Sequence, residues 1–110
     1  MRLAFVLALP LLGACSRPGA ADLPAIAAMR SAAAEWALVN REAQRGRVTP
    51  AFAEGMRAAA RAAIASEARG LRDSAAAARE AAALQALPAD AAPEHIARHA
   101  AALERIEKAL

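Results

Sequence analysis

Three sets of side chains in this sequence could do chemistry. They are the single thiol of Cys15, the imidazoles of His95 and His99, and five guanidiniums at Arg57, Arg61, Arg69, Arg72 and Arg79. A thiolate is a nucleophile. Two imidazoles four positions apart on a helix can reach one metal ion. A row of arginines can engage anionic lipid headgroups, each contributing about 1 kcal/mol near a membrane surface.

Cys15 stands directly behind an apolar run. Met1-Arg2 supplies one positive charge, and Leu3 to Leu12 carries no polar side chain. A charged start, an apolar stretch of about 7–15 residues and then small residues is the layout of a secretory signal. A membrane span needs about 20 apolar residues; this run is shorter and contains Pro10, so it is too short for a permanent anchor. It closes as Leu12-Gly13-Ala14-Cys15, which resembles the lipobox of bacterial lipoproteins. The resemblance implies that the Cys15 sulfur takes up a diacylglycerol, that the chain is cut after Ala14, and that the new amine is acylated. Two acyl chains hold a protein stably on a membrane where one is marginal. Cys15 is the only cysteine, and lipidation accounts for it without a disulfide partner. Ser16, in place of an acidic residue, favours the outer over the inner membrane, with the protein in the cell envelope facing the periplasm. Plain signal cleavage after Ala21, with Gly19 as the second small residue, is the alternative. The resulting division is a signal at 1–14, a lipidated N-terminus and flexible tether at 15–21, and a helical domain at 22–110.

The histidines offer less. Zinc takes three or four ligands, and the His95–His99 pair is no HExxH motif because Ile96 stands where the glutamate would. His99 also falls on an apolar helix face, where packing is the simpler role. No metal or other cofactor is expected. The chain has no tyrosine, no glycine-rich phosphate loop and no G-x-S-x-G turn. A catalytic site needs several converging groups, so no enzyme and no catalytic residue is expected.

At 100° per residue the five arginines fall within an arc of about 120° on one helix. This arc can contact an anionic surface, or it can be the solvated side of an amphipathic helix. Removing Arg2 with the signal lowers the formal charge from +3 to near +2. That balance and export both argue against nucleic acid as a partner.

The elements that carry these residues read as all-α. Alanine is the commonest residue and the strongest helix former, β-branched residues are scarce, and no stretch alternates as a strand would. Asp22 is positioned as an N-cap with Pro24 in the first turn. The first helix is then expected over about 23–45, closed by Gly46. Thr49-Pro50 restarts the chain, and the second helix is expected over about 50–87, with weak points at Gly55 and Gly70. Pro88 ends it, and Asp90 opens a third over about 91–110. Ile26, Met29, Ala33, Trp36, Asn40 and Ala43 share one face of the first helix; Ile96, His99, Leu103, Ile106 and Leu110 share one face of the third. In the second, Phe52, Met56, Ala60, Ala63, Ile64, Leu71 and Ala78 lie together.

These lengths suggest an antiparallel helical hairpin or three-helix arrangement around a long central helix, kinked near Gly70 or continuous through it. If Gly70 breaks that spine, the same elements close into a three- or four-helix bundle; the extended form is preferred. Trp36 is expected in the core, and Asn40, polar on an apolar stripe, is expected to fix register or oligomer state. The functional expectation is a small lipid-anchored, non-enzymatic helical scaffold or adaptor. Its partners would be the membrane through the lipid, and another envelope protein or a second copy. The alternative is a module that binds membranes or anionic polymers through the arginines.

Overall fold

A computed structural model describes residues 19–110, so Cys15 and the expected signal lie outside the described residues. A 3₁₀ turn at Ala20–Asp22 leads into α1 (Leu23–Gln44), followed by α2 (Pro50–Arg69), α3 (Ala75–Ala86) and α4 (Pro93–Ala109). The described residues contain no strand. The end of the expected tether is part of the fold: Gly19 is buried, with φ +81°.

Local chemistry sets most of the helix ends. α1 closes in a Schellman turn, in which Gly46 at φ +68° donates its N–H to the Ala43 carbonyl while the Arg47 N–H reaches the Glu42 carbonyl. Thr49 caps α2, its hydroxyl accepting from the Phe52 N–H at 3.1 Å with Pro50 at the first position. Ser74 caps α3 in the same way through the Ala77 N–H. α4 begins at Pro93 without a side-chain cap, and Asp90, expected to open it, lies exposed in the preceding turn.

The long second helix is in fact two helices. α2 stops at Arg69 and α3 starts at Ala75. Gly70 weakens the helix here, and Asp22 supplies the competing acceptor. Its carboxylate accepts from the backbone N–H groups of Arg72, Asp73 and Ser74 at 2.8, 2.8 and 2.7 Å. In an unbroken helix those three groups would bond to carbonyls four residues back. Asp22 therefore does not cap its own helix, as expected from sequence, but the break between α2 and α3.

The result is an up-down-up-down four-helix bundle rather than a hairpin on a central spine. Arg30 pairs with Glu107 while Asn40 meets Ala91, so α1 and α4 are antiparallel. Asp22 meets Arg72 while Asn40 meets Arg57, which makes α1 and α2 antiparallel too. The central element is α1, which packs broadly on α4 and α2, while α3 touches α2, α4 and, narrowly, α1. The second helix could not be that spine once Asp22 turned its chain back.

The core runs along α1 through Ile26, Met29, Ala33 and Trp36. It is joined by Ile64 of α2, Leu84 of α3, and Ile96 and Leu103 of α4, all at most 1% exposed. Burying each aliphatic chain of that size contributes about 1.5–3 kcal/mol. α2 faces inward through Ala53, Ala60 and Ile64; of the stripe expected from sequence, Ala60 and Ile64 are buried and Met56 and Leu71 half-buried, while Phe52, at 53%, Ala63 and Ala78 are exposed. α3 contributes only Ala77, Ala81 and Leu84 to the core.

Candidate functional site

Trp36 and Asn40 stand one turn apart on the buried face of α1, and both reach for the turn that joins α3 to α4. The Trp36 indole Nε1 donates to the Ala89 carbonyl at 2.8 Å. Asn40 Nδ2 donates to the carbonyls of Ala89 (3.0 Å) and Ala91 (2.9 Å). Asn40 Oδ1 accepts from Arg57 Nε at 2.5 Å. Every side-chain polar atom of this buried asparagine thus has a partner, and no buried side-chain polar atom among the described residues lacks one. Asn40 fixes register within the chain.

One turn further along α2, Arg61 lays its guanidinium over the Trp36 ring, 5.7 Å from the centroid, within reach of a cation–π attraction. Its Nη2 donates to the Leu87 carbonyl at 3.3 Å. Beside it, α2 and α3 leave a half-open cleft of about 170 Å³ lined by Trp36, Arg61, Ile64, Ala65, Leu84 and Gln85.

The opposite end of the bundle holds both ends of the described chain, Gly19 and Leu110. Gly19 sits so close to the last residue that a β-carbon there would lie 2.9 Å from Leu110 Cδ2. Three positions on, the buried Asp22 carboxylate holds the 72–74 turn. Burial opposes its charge, but the N–H groups of Ser74, Asp73 and Arg72, with the Arg72 cation, together outweigh burial and hold its carboxyl below the usual range.

The five arginines do not share one helix face. Arg57 and Arg61 turn toward α1 as described. Arg69 is exposed in the last turn of α2, Arg72 lies exposed in the connection, and Arg79 is exposed on α3. His95 is exposed, and His99 is half-buried with its Nδ1 2.7 Å from Glu80 Oε1, linking α4 to α3. No group of three metal-ligating side chains occurs among the described residues. Among the same residues no helix is long and apolar enough to cross a membrane. The remaining perturbed pair is at the far end of α1. There the hydrogen bond from Arg47 is the main cause that lowers the Glu42 carboxyl and raises the Arg47 guanidinium.

No family model, no curated protein and no solved structure matches the chain. What the chain does must therefore be argued from this geometry. Sequence reasoning placed Trp36 and Asn40 on the buried face but missed that Arg57 and Arg61 face them. A usable signal was present, since Trp36/Asn40 and Arg57/Arg61 are both i,i+4 pairs on helices read as antiparallel.

Proposed function

We propose that this protein is a small lipid-anchored envelope protein, a non-enzymatic helical scaffold that presents its far end to a partner. The observation that carries the proposal is the seat of Gly19 on Leu110. Gly19 is four peptide steps from Cys15, a reach of at most about 14 Å when fully extended. A lipid on Cys15 would hold the Gly19–Leu110 end close to the membrane surface. α1, at 22 residues, would then carry the opposite end about 33 Å outward. Phe52 lies near that far end, and among the described residues it and Leu38 are the two exposed large apolar side chains, each at 53%. Ser16 at the position after the cysteine favours the outer membrane.

The test joins metabolic lipid labelling, fractionation and crosslinking. Wild-type protein should take up an acyl label and sediment with membranes, and Cys15→Ser should lose both properties. A photo-reactive side chain at Phe52 should give a discrete adduct with one envelope protein or with a second copy. Retention of label and membrane association by Cys15→Ser would sink the anchoring claim. A strictly monomeric protein with no adduct from Phe52 would sink the scaffold claim.

A further inference from the structure

We propose that the connection between α2 and α3 is a hinge through which α3 and α4 exchange with those of a second copy of this chain, and that Asp22 keeps the monomer closed. The three connections of the bundle differ in what stops the helix. Between α1 and α2, Gly46 turns the chain aside at φ +68° and Pro50 restarts it. Between α3 and α4, Pro88 has no N–H to give, and Leu87 before it is extended at φ −72°, ψ 145°. Residues 70–74 contain no proline and no positive φ, and Gly70 stands close to helical values at φ −89°, ψ −5°. Ser74 adds a local cap for a single N–H. The remaining cause of the bend comes from the far side of the sequence, where the Asp22 carboxylate takes the N–H groups of Arg72, Asp73 and Ser74.

Without that carboxylate the same three N–H groups are satisfied by continuing the helix, onto the carbonyls of Ala68, Arg69 and Gly70. A helix running through 50–86 also sets Arg69 and Asp73, of opposite charge, four positions apart on one face. It carries α3 away from α1, and α4 with it. Opening uncovers Trp36, Ile64, Leu84, Ile96 and Leu103, which are at most 1% exposed in the closed bundle. A second open copy covers them with no new complementarity, because its α4 fits the α1 of the first as it fits its own. Arg30 then meets Glu107, and Asn40 meets Ala91, between copies instead of within one. Asp22 loses its three donors in the exchanged form, which is why it holds the closed one. The inference uses neither the lipid nor Phe52, so it stands or falls apart from the anchoring and scaffold proposals.

The test uses the full chain with Cys15→Ser, which leaves no thiol. Two single-thiol versions, Arg30→Cys and Glu107→Cys, are mixed at neutral pH, held to equilibrium and treated with a short bis-maleimide. Each version carries one thiol, so a 30–107 adduct forms only between copies. With Asp22 in place this adduct should be scarce. With Asp22→Ala it should rise at least about tenfold, the factor for one lost hydrogen bond to a charged group, and the chain should sediment as a dimer. Asp22→Asn keeps one acceptor oxygen and should lie between the two, and it decides the question if the alanine variant does not fold. Arg72→Pro on the Asp22→Ala background bars the continuous helix and should return the chain to a monomer. A folded Asp22→Ala or Asp22→Asn protein that stays monomeric at millimolar concentration would overturn the inference. So would a dimer without the 30–107 adduct, which is association through an outer surface. A dimer that persists unchanged in a folded Arg72→Pro protein would overturn it as well.

Discussion

The carboxylate of Asp22 accepts a 2.7 Å hydrogen bond from the backbone N–H of Ser74, 52 positions along the chain. The Arg72 and Asp73 N–H groups join it on the same side chain. One acidic residue at the start of α1 therefore decides where the second helical stretch ends and the third begins. It also ties the entry of the chain to the turn between α2 and α3.

Asp22→Ala should cost about 3 kcal/mol, because hydrogen bonds to charged groups contribute about 1.5–3 kcal/mol each and solvent can recover part of the loss at this turn. Urea denaturation of the two proteins at neutral pH checks this value. A change below about 0.5 kcal/mol, the range of surface substitutions, would contradict the role given to Asp22.

The same residue sets a pH dependence. The Asp22 carboxyl is lowered from 3.8 on folding, so the unfolded chain takes up its proton first as pH falls. Its stabilisation is complete above the unfolded value and is lost as pH drops below about 3.8 toward the folded one. Glu42, lowered from 4.5, acts with the same sign. Asp22→Asn should flatten the fall in stability below pH 4, measured by thermal unfolding across an acid series.

Asn40 bridges three elements, and its removal should be felt throughout the bundle. Asn40→Ala leaves the Ala91 carbonyl and Arg57 Nε without their partner, at a cost of about 2 kcal/mol. For a domain of this size that lowers Tm by on the order of 10 °C, read by differential scanning calorimetry. Asn40→Asp should not rescue the loss, since a carboxylate has no N–H to give to Ala89 and Ala91.

α3 should be the first element to open. It has 12 residues, at the length where an isolated helix is marginal in water. Its anchors are the Ser74 cap, the Glu80–His99 contact and Leu84. Native-state hydrogen exchange should show amides 79–86 less protected than those of α1. Leu84→Ala should cost about 2–5 kcal/mol and concentrate its effect on α3. Equal protection of α1 and α3 would argue against this order of opening.

Gly46 offers a backbone test free of packing effects. It adopts φ +68° and has no atom within 4 Å of an added β-carbon. Gly46→Ala should therefore cost about 1–2 kcal/mol from the left-handed conformation alone. Gly19→Ala adds the 2.9 Å approach to Leu110 and should loosen the C-terminal turn of α4, visible as faster exchange at residues 107–110.

The sequence by itself determined the all-helical class, the Gly46 stop, the Thr49-Pro50 restart, and the buried faces of α1 and α4. These features depend on residues within one or two turns of each other, so spacing and capping chemistry suffice to read them. The partners of Asp22 were decided only in three dimensions. Its carboxylate could cap its own helix or a turn some fifty residues away, and nothing local favours the distant donors. The inward turn of Arg57 was likewise settled by Asn40 on a different helix. Periodicity on α2 found Ala60 and Ile64 but missed Arg57, because an arginine counts as polar until a buried acceptor is known to face it. The break at 70–74 and the four-helix arrangement follow from long-range contacts of this kind, where tertiary hydrogen bonds outcompeted the local preference of an alanine-rich chain to remain helical.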